Sequence, residues 1–208
     1  PAMIDREGVG LGAIAGNPFQ EFVRASGCRI GLRYVANALM DAEGRVVACA
    51  AGTPTEVHNH LVKQGEELFR VSVGESAHVA IAGVEPAKGV NLYQASRAVT
   101  YLALCDSTPL LPGAPIILPA SIPEGVGGGT GEQRFYHYLS AAESPQELVA
   151  RLQHDGFPAG AQRAYVLAKV LANHPVIVVG ACHPDVVVGC HMRAAQTMEE
   201  ALALATAI

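Results

Sequence analysis

Short apolar runs alternate with amphipathic segments over most of the chain. The clearest apolar runs are SAHVAIAG at 76–83, APIILPA at 114–120 and PVIVVGA at 175–181, and segments with a helical period lie between them. Short continuous apolar strands that alternate with helices are typical of a mostly parallel sheet covered on both faces. The pattern therefore predicts an α/β fold. In such folds ligands bind at the carboxyl ends of the strands.

The first part of the chain has a different pattern. Asn17 followed by Pro18 is typical of a helix start, and Gly27 is a suitable end for that helix. Two alternating segments around the turn DAEG predict a β-hairpin. A second helix is predicted from about Pro54 to Phe69. A helix–hairpin–helix section is thus expected to precede the α/β section.

The composition argues against some classes of binding partner. The net charge is −5, with 14 scattered Lys and Arg residues, whereas a nucleic-acid site needs a basic face. We therefore expect no nucleic-acid partner. We also expect no membrane span, because no apolar stretch of about 18 residues occurs, and no signal peptide. The chain begins with Pro1 rather than Met, which suggests an origin in a longer polypeptide.

The five cysteines are far apart, odd in number and without a CxxC motif. This usage is typical of reduced, buried thiols in a cytoplasmic protein. The pairs Cys182-His183 and Cys190-His191 raise the alternative of a zinc site. However, the segment between them is predicted to be a strand, and structural zinc sites usually have closer ligands. No metal site is therefore predicted in this chain.

A glycine-rich loop, EGVGGGTGE, follows the second apolar strand. The amides of Gly125, Gly127 and Gly128 are candidates for binding the phosphate of a cofactor. The loop matches neither a P-loop nor the GxGxxG fingerprint. The alternative is a loop whose glycines allow close packing, and the pattern leaves both interpretations open.

The segment NLYQASR begins a predicted helix directly after the first apolar strand. Gln94 and Arg97 are three residues apart and therefore lie on one helix face, with Tyr93 beside them. An amide and a guanidinium together suit a carboxylate that carries a neighbouring hydroxyl, and a helix N-terminus favours an anion. The alternative is a polar helix start that faces solvent.

The order of GNPFQEF, the hairpin with YVANALM and GRVVACAAG, and then NLYQASRA, IILPA and EGVGGG resembles the later half of the nickel-pincer-nucleotide lactate racemase family. The resemblance runs from about Gly16 to Tyr138 and continues more weakly to the end. It implies a two-domain enzyme that interconverts the enantiomers of a 2-hydroxy acid. The implied mechanism transfers a hydride to a nickel-pincer cofactor and back, while a histidine pair moves the hydroxyl proton.

Carried over by position, the resemblance assigns substrate binding to Gln94 and to Arg97, with Tyr93 next to them. Arg97 stands where the family has Lys, which implies a larger or differently shaped acid. No segment of this chain matches the lysine tether of the cofactor or the paired histidines. We therefore expect no catalytic residue in this chain, no bound cofactor and no activity from the chain alone, although the complete protein would be an isomerase.

The resulting prediction is a helix–hairpin–helix remnant of the cofactor-binding domain with a hinge at 1–71, followed at 72–208 by a Rossmann-like substrate-closing domain. Apolar surface on the remnant would favour pairing with the missing N-terminal domain, a partner chain or a second copy. Two alternatives remain. One is a non-catalytic binding subunit, and the other is a nucleotide-dependent oxidoreductase domain that uses the glycine-rich loop.

Overall fold

A computed structural model describes residues 3–105 and 107–208. They form two compact units, one comprising 5–9 and 13–74 and the other comprising 75–208 with the short segments 3–4 and 10–12. The larger unit begins at residue 75 apart from its short N-terminal segments. The predicted domain boundary after residue 71 and the assignment of the first unit to a cofactor-binding domain remain predictions.

The first unit is the expected helix, hairpin and helix. The two strands pair antiparallel, with Val35 opposite Gly52. Asn17 caps the first helix by accepting a hydrogen bond from the amide of Phe19 at 2.9 Å. The elements are α1 (Pro18–Arg29), β1 (Val35–Met40), β2 (Val46–Gly52) and α2 (Pro54–Phe69).

The first unit buries few side chains. Val57 and Leu61 are its buried apolar residues within the described chain, and both lie on α2. Large apolar side chains are exposed on α1 and on the hairpin, among them Phe22, Met40 and Val46. An apolar surface of this kind is typical of a face that contacts another part of a protein.

The second unit contains a four-stranded parallel sheet in the order β3-β4-β5-β6. This sheet, flanked by helices, confirms the predicted α/β class. Its elements are β3 (Ala80–Ile81), α3 (Leu92–Ala103), β4 (Ile116–Pro119), α4 (Thr130–Ser140), α5 (Pro145–Asp155), α6 (Ala161–Leu171), β5 (Val176–Val179), α7 (Pro184–Gly189), β6 (Arg193–Ala195) and α8 (Met198–Thr206).

Both faces of the sheet are covered. Successive strand residues point to opposite faces, so that Ile116 and Leu118 pack in the large cluster with residues of α3, α4, α5 and α6. Ile117 and Ile177 pack on the other face in a smaller cluster with Ala201 of α8. This double cover explains why β4 and β5 are continuously apolar.

Two predictions of local structure were wrong, and one strand was missed. The segment DVVVG forms α7 instead of a strand, with Pro184 in the first turn, where proline is favoured. Val186 and Val187 are buried there and Val188 is exposed. The apolar run 76–83 contributes only the two-residue strand β3 to the sheet. The edge strand β6, which contains no β-branched residue, was not predicted.

The cysteines differ from the expectation of buried thiols. All five are free, but Cys28, Cys49 and Cys182 are exposed, and only Cys190 is buried. Burial raises the pKa of the Cys190 thiol to about 12. Within the described part of the chain, every helix is too short or too polar to cross a membrane.

Candidate functional site

The NLYQ segment begins α3 as predicted, and Asn91 defines the start. Its Oδ1 accepts a hydrogen bond from the amide of Gln94 at 3.0 Å, which satisfies one of the free amides of the first turn. Because α3 connects the parallel strands β3 and β4, its N-terminus lies at the carboxyl edge of the sheet. Tyr93 and Gln94 therefore lie at the ligand-binding edge, with Arg97 one turn further along.

Asn91 also joins α3 to the glycine-rich loop and α4. Its Nδ2 donates hydrogen bonds to Glu124 at 3.1 Å and to Glu132 at 3.0 Å. The second carboxylate oxygen of Glu132 accepts from the amide of Gly129 at 2.7 Å. Asn91 is only 2% exposed. Sequence reasoning did not assign Asn91 a role, although its position before an apolar-periodic helix is an N-cap signal.

Two backbone amides of the glycine-rich loop donate hydrogen bonds to nearby backbone carbonyls. The amide of Gly125 donates to Ile122 O and that of Gly127 to Glu124 O, both at 2.9 Å, while Gly125 O accepts from the amide of Leu92 at 3.0 Å. Two of the three amides proposed for a phosphate are thus already paired. This geometry favours a packing role, and the predicted cofactor contacts of Gly125, Gly127 and Gly128 remain a prediction.

Gly127 shows why the loop is rich in glycine. Its φ is +93°, and a Cβ at this position would lie 2.3 Å from Oε2 of Glu132 and 3.0 Å from Nδ2 of Asn91. Only glycine combines this backbone conformation with so close an approach. The loop therefore holds Glu132, in the first turn of α4, against Asn91 at the start of α3.

Tyr93, Gln94 and Arg97 lie together, as the sequence predicts, and all three are half-buried. The ring of Tyr93 packs edge-on against Phe135, with centroids 5.4 Å apart. The guanidinium of Arg97 lies over the same tyrosine ring, 5.6 Å from its centroid, which is within the range of a cation–π interaction.

The polar ends of Gln94 and Arg97 have few protein partners. Nε of Arg97 is buried without a hydrogen bond. Among the residues that the structure describes, no carboxylate forms an ion pair with Arg97, and the side-chain amide of Gln94 has no hydrogen-bond partner. An amide and a guanidinium held side by side without partners can bind a carboxylate.

A cavity of about 260 Å³ adjoins this cluster. It lies where the N-terminal ends of α3, α4 and α6 meet, and Tyr93 forms part of its wall. The first turn of α6 supplies Arg163 to this wall, a contribution that was not predicted from the sequence. The lining residues are Tyr93, Gly131, Gly160, Gln162, Arg163 and Val166.

The two Cys-His pairs do not form a metal site. The ring of His183 packs against Gly125 and its Nε2 donates to Pro123 O at 3.1 Å, while Nε2 of His191 donates to Leu139 O at 3.0 Å. In residues 3–105 and 107–208, no three His, Cys, Asp or Glu side chains gather into a group that could hold a metal ion.

Comparison with known proteins places these features in a family. The family model of the lactate racemase C-terminal domain matches residues 79–208. The chain is 27% identical over 177 residues to the lactate racemase of Lactiplantibacillus plantarum, covering 82% of this chain and 39% of that protein. It is 24% identical over 202 residues to the lactate racemase of Thermoanaerobacterium thermosaccharolyticum, covering 95% of this chain and 45% of that protein.

Solved structures show the same fold. The lactate racemase apoprotein from Thermoanaerobacterium thermosaccharolyticum superposes with a TM-score of 0.79 at 24% identity, over 92% of this chain and 45% of that one. A Thermotoga maritima protein superposes with a TM-score of 0.57 at 14% identity, over 88% and 48%. This chain spans less than half the length of the lactate racemases that it matches. Because the family model covers more than half of the chain, the chain belongs to the lactate racemase C-terminal domain family.

Proposed function

We propose that this chain is the substrate-closing part of a 2-hydroxy acid racemase or epimerase, and that Gln94 and Arg97 bind the substrate. The observation that carries the proposal is the placement of these two side chains at the ligand-binding edge of the sheet, where no described residue forms an ion pair with Arg97 or a hydrogen bond with the side-chain amide of Gln94. The resemblance supplies the reaction class. The hydride transfer and the nickel-pincer nucleotide are proposed for the complete protein.

Arg97 is suited to hold the carboxylate of the acid. A guanidinium offers parallel N–H donors that match the two carboxylate oxygens, and Lys, which the family has here, does not. The face of the Tyr93 ring, 5.6 Å away, limits the conformations of Arg97, so less entropy is lost on binding. The N-terminal end of α3 adds a favourable field for the negative charge.

Gln94 is suited to the hydroxyl group. Its side-chain amide carries both donors and an acceptor, so it can bind the 2-hydroxyl as a donor or as an acceptor. It lies one turn before Arg97 on the same face of α3. The two side chains together would thus fix the carboxylate and the hydroxyl, and with them the orientation of the Cα–H bond.

The described residues do not fit a nickel site. Three metal-ligating side chains never come together in the part of the chain that the structure describes, and the glycine-rich loop pairs two of its amides internally. The part of the chain that the structure describes therefore offers no ligand set for the metal. In the proposal, proton and hydride transfer belong to residues outside it, and this chain orients the acid.

The test is a racemisation assay of the gene product that contains this chain, with a panel of 2-hydroxy acids. Gln94→Ala and Arg97→Ala are each expected to raise KM at least about tenfold, because each removes a hydrogen bond to a charged or polar group of the substrate. Arg193 is an exposed residue on β6. Arg193→Ala is therefore the matched control and should leave KM unchanged. Full activity in both site variants would overturn the assignment.

The same preparation distinguishes the alternatives. A gene product that binds 2-hydroxy acids through Gln94 and Arg97 but racemises none of them is a non-catalytic binding subunit. Saturable binding of NAD(P), abolished by changes in the glycine-rich loop, would instead support an oxidoreductase domain.

A further inference from the structure

The first turn of α6 brings a second guanidinium to the Arg97 region. Nη1 of Arg163 donates to Thr100 Oγ1 and Nη2 donates to Ser96 Oγ, both at 3.1 Å. Ser96 and Thr100 lie one turn apart on the buried face of α3, and Arg97 belongs to the turn between them. Arg163 therefore crosses α3 at the turn that carries Arg97, and it also lines the cavity next to Tyr93.

The protein partners of Arg163 are neutral. Both hydroxyls already donate to backbone carbonyls, Ser96 to Tyr93 O and Thr100 to Arg97 O, each at 3.1 Å. Nε of Arg163 is buried without a hydrogen bond. No carboxylate within the described ranges forms an ion pair with Arg163.

No carboxylate among the described residues therefore compensates the charge of Arg163. Its pKa is lowered to about 10, first by burial and then by the neighbouring charge of Arg97, whereas Tyr101 and Tyr93 act in the opposite direction. Two like charges held close together in a partly desolvated environment destabilise the folded chain unless an anion binds between or beside them. Structural arginines are commonly paired with carboxylates, so two adjacent unpaired ones indicate an anionic ligand.

We propose that Arg163 is a specificity-determining residue that binds a second anionic group of the substrate, so that the preferred substrate class is a 2-hydroxy dicarboxylic acid. The inference rests on the proposed function, in which Arg97 and Gln94 hold the carboxylate and hydroxyl at C1 and C2. The distal carboxylate then enters the cavity beside Tyr93 and meets Arg163.

The cavity agrees with this class of ligand. Its volume of about 260 Å³ lies below the range of about 300–1,000 Å³ that suits drug-sized ligands, as expected for a small diacid. The N-terminal ends of α4 and α6, at Gly131 and Gly160, border the cavity and add to the favourable potential for an anion. Gln162 on the cavity wall provides a further donor.

The test compares two ligands that differ by one carboxylate, 2-hydroxybutanedioate and 2-hydroxybutanoate, by calorimetric titration of the 208-residue chain. The parent chain is expected to bind the diacid at least about tenfold more tightly, because each charge-assisted hydrogen bond adds appreciable affinity. Arg163→Gln should reduce that ratio to about one, with a much larger loss of affinity for the diacid than for the monoacid. Arg163→Lys should keep part of the preference, and Arg193→Gln should keep all of it.

Inorganic phosphate is the third ligand, because it offers negative charge without the hydroxy acid. Phosphate that binds as tightly as the diacid would overturn the inference, since the site would then select for charge alone. If Arg163→Gln does not fold, as judged by thermal unfolding, the comparison rests on Arg163→Lys, whose diacid-to-monoacid ratio must fall below that of the parent.

The outcomes separate this inference from the proposed function. If both acids lose affinity in Gln94→Ala while their ratio is the same in the parent and in Arg163→Gln, the inference is overturned and the proposed function stands. If Gln94→Ala and Arg97→Ala leave the affinity for both acids unchanged, the proposed function fails, and the assignment of Arg163 to a second substrate group fails with it.

Discussion

Nδ2 of Asn91 lies 3.0 Å from Oε1 of Glu132, and this hydrogen bond joins the first turn of α3 to the first turn of α4. The same nitrogen donates to Glu124 in the glycine-rich loop. Asn91 thus sets the start of the helix that carries Gln94 and Arg97. The position of the side chains proposed to bind the substrate therefore depends on a residue that is not expected to touch it.

Replacing Asn91 by Ala should reduce both stability and ligand binding. The change removes the cap of α3, worth about 1 kcal/mol. It also removes one of the two donors to the half-buried carboxylate of Glu132, at a further cost of about 1 kcal/mol. Urea unfolding measures the loss. The control residue is Asn173, which is exposed and whose side-chain amide donates to Lys169 O. Asn173→Ala should change the unfolding free energy by no more than about 0.5 kcal/mol.

Gly127 and Gly128 of the glycine-rich loop are expected to differ in how well they tolerate a side chain. Gly127→Ala places a Cβ 2.3 Å from Oε2 of Glu132 at a φ of +93°, and we expect a loss of about 2–4 kcal/mol from strain and displacement of Glu132. At Gly128 a Cβ meets no atom within 4 Å, so Gly128→Ala should cost less than about 1 kcal/mol. Equal losses in the two variants would contradict the packing role of Gly127.

Removing the uncompensated charge of Arg163 should not destabilise the free chain. Arg163→Met retains much of the apolar stem, and the hydroxyls of Ser96 and Thr100 keep their carbonyl acceptors. Replacement of buried charged groups by apolar ones is often neutral or stabilising by ~1–4 kcal/mol. Thermal and urea unfolding of the parent and of Arg163→Met test this. A loss of more than about 2 kcal/mol would show that Arg163 mainly ties α6 to α3.

Cys190 should differ from the exposed cysteines in both reactivity and pH dependence. A thiol reagent at neutral pH should label Cys28, Cys49 and Cys182 quickly, and Cys190 only after unfolding, because the thiolate is the reactive form. Burial raises the pKa of Cys190 from 9.0 to about 12. The native state therefore retains the proton where the unfolded state has lost it.

It follows that the stabilising contribution of Cys190 is complete below pH 9 and is lost as the pH rises towards 12. The difference in unfolding free energy between the parent and Cys190→Ala should shrink above pH 9 by up to about 1.4 kcal/mol per pH unit. Urea unfolding at pH 8 and pH 10 measures it. A difference that does not vary with pH would show that the thiol titrates normally.

Local patterns predicted much of the fold. The hairpin and α2 follow from alternation and from proline at the first helical position, and the bounds Pro54–Phe69 agree with the structure. DVVVG was misjudged because a short valine-rich run suits a strand and a buried helical turn equally well. Nothing in the local pattern predicts β6, since Arg193–Ala195 extends only through pairing with β5.

One part of the candidate site could likewise be predicted from the sequence, and the other part could not. Tyr93, Gln94 and Arg97 share one turn of one helix, so their proximity follows from helical spacing. Arg163 lies 67 residues from Ser96 along the chain and meets it only because α6 packs against α3. Contacts at such a separation depend on the packing of the whole unit, and a single sequence contains no direct signal for them.

Binding of a 2-hydroxy acid carboxylate at the start of α3 can be observed by NMR, in a titration of the ¹⁵N-labelled chain with 2-hydroxybutanoate. We predict saturable shifts that are largest for the amides of Tyr93, Gln94 and Arg97 and for the side-chain amide of Gln94, and that vanish in Arg97→Ala. Shifts that persist in Arg97→Ala, or that occur mainly in the first unit, would show that the acid does not bind at the start of α3.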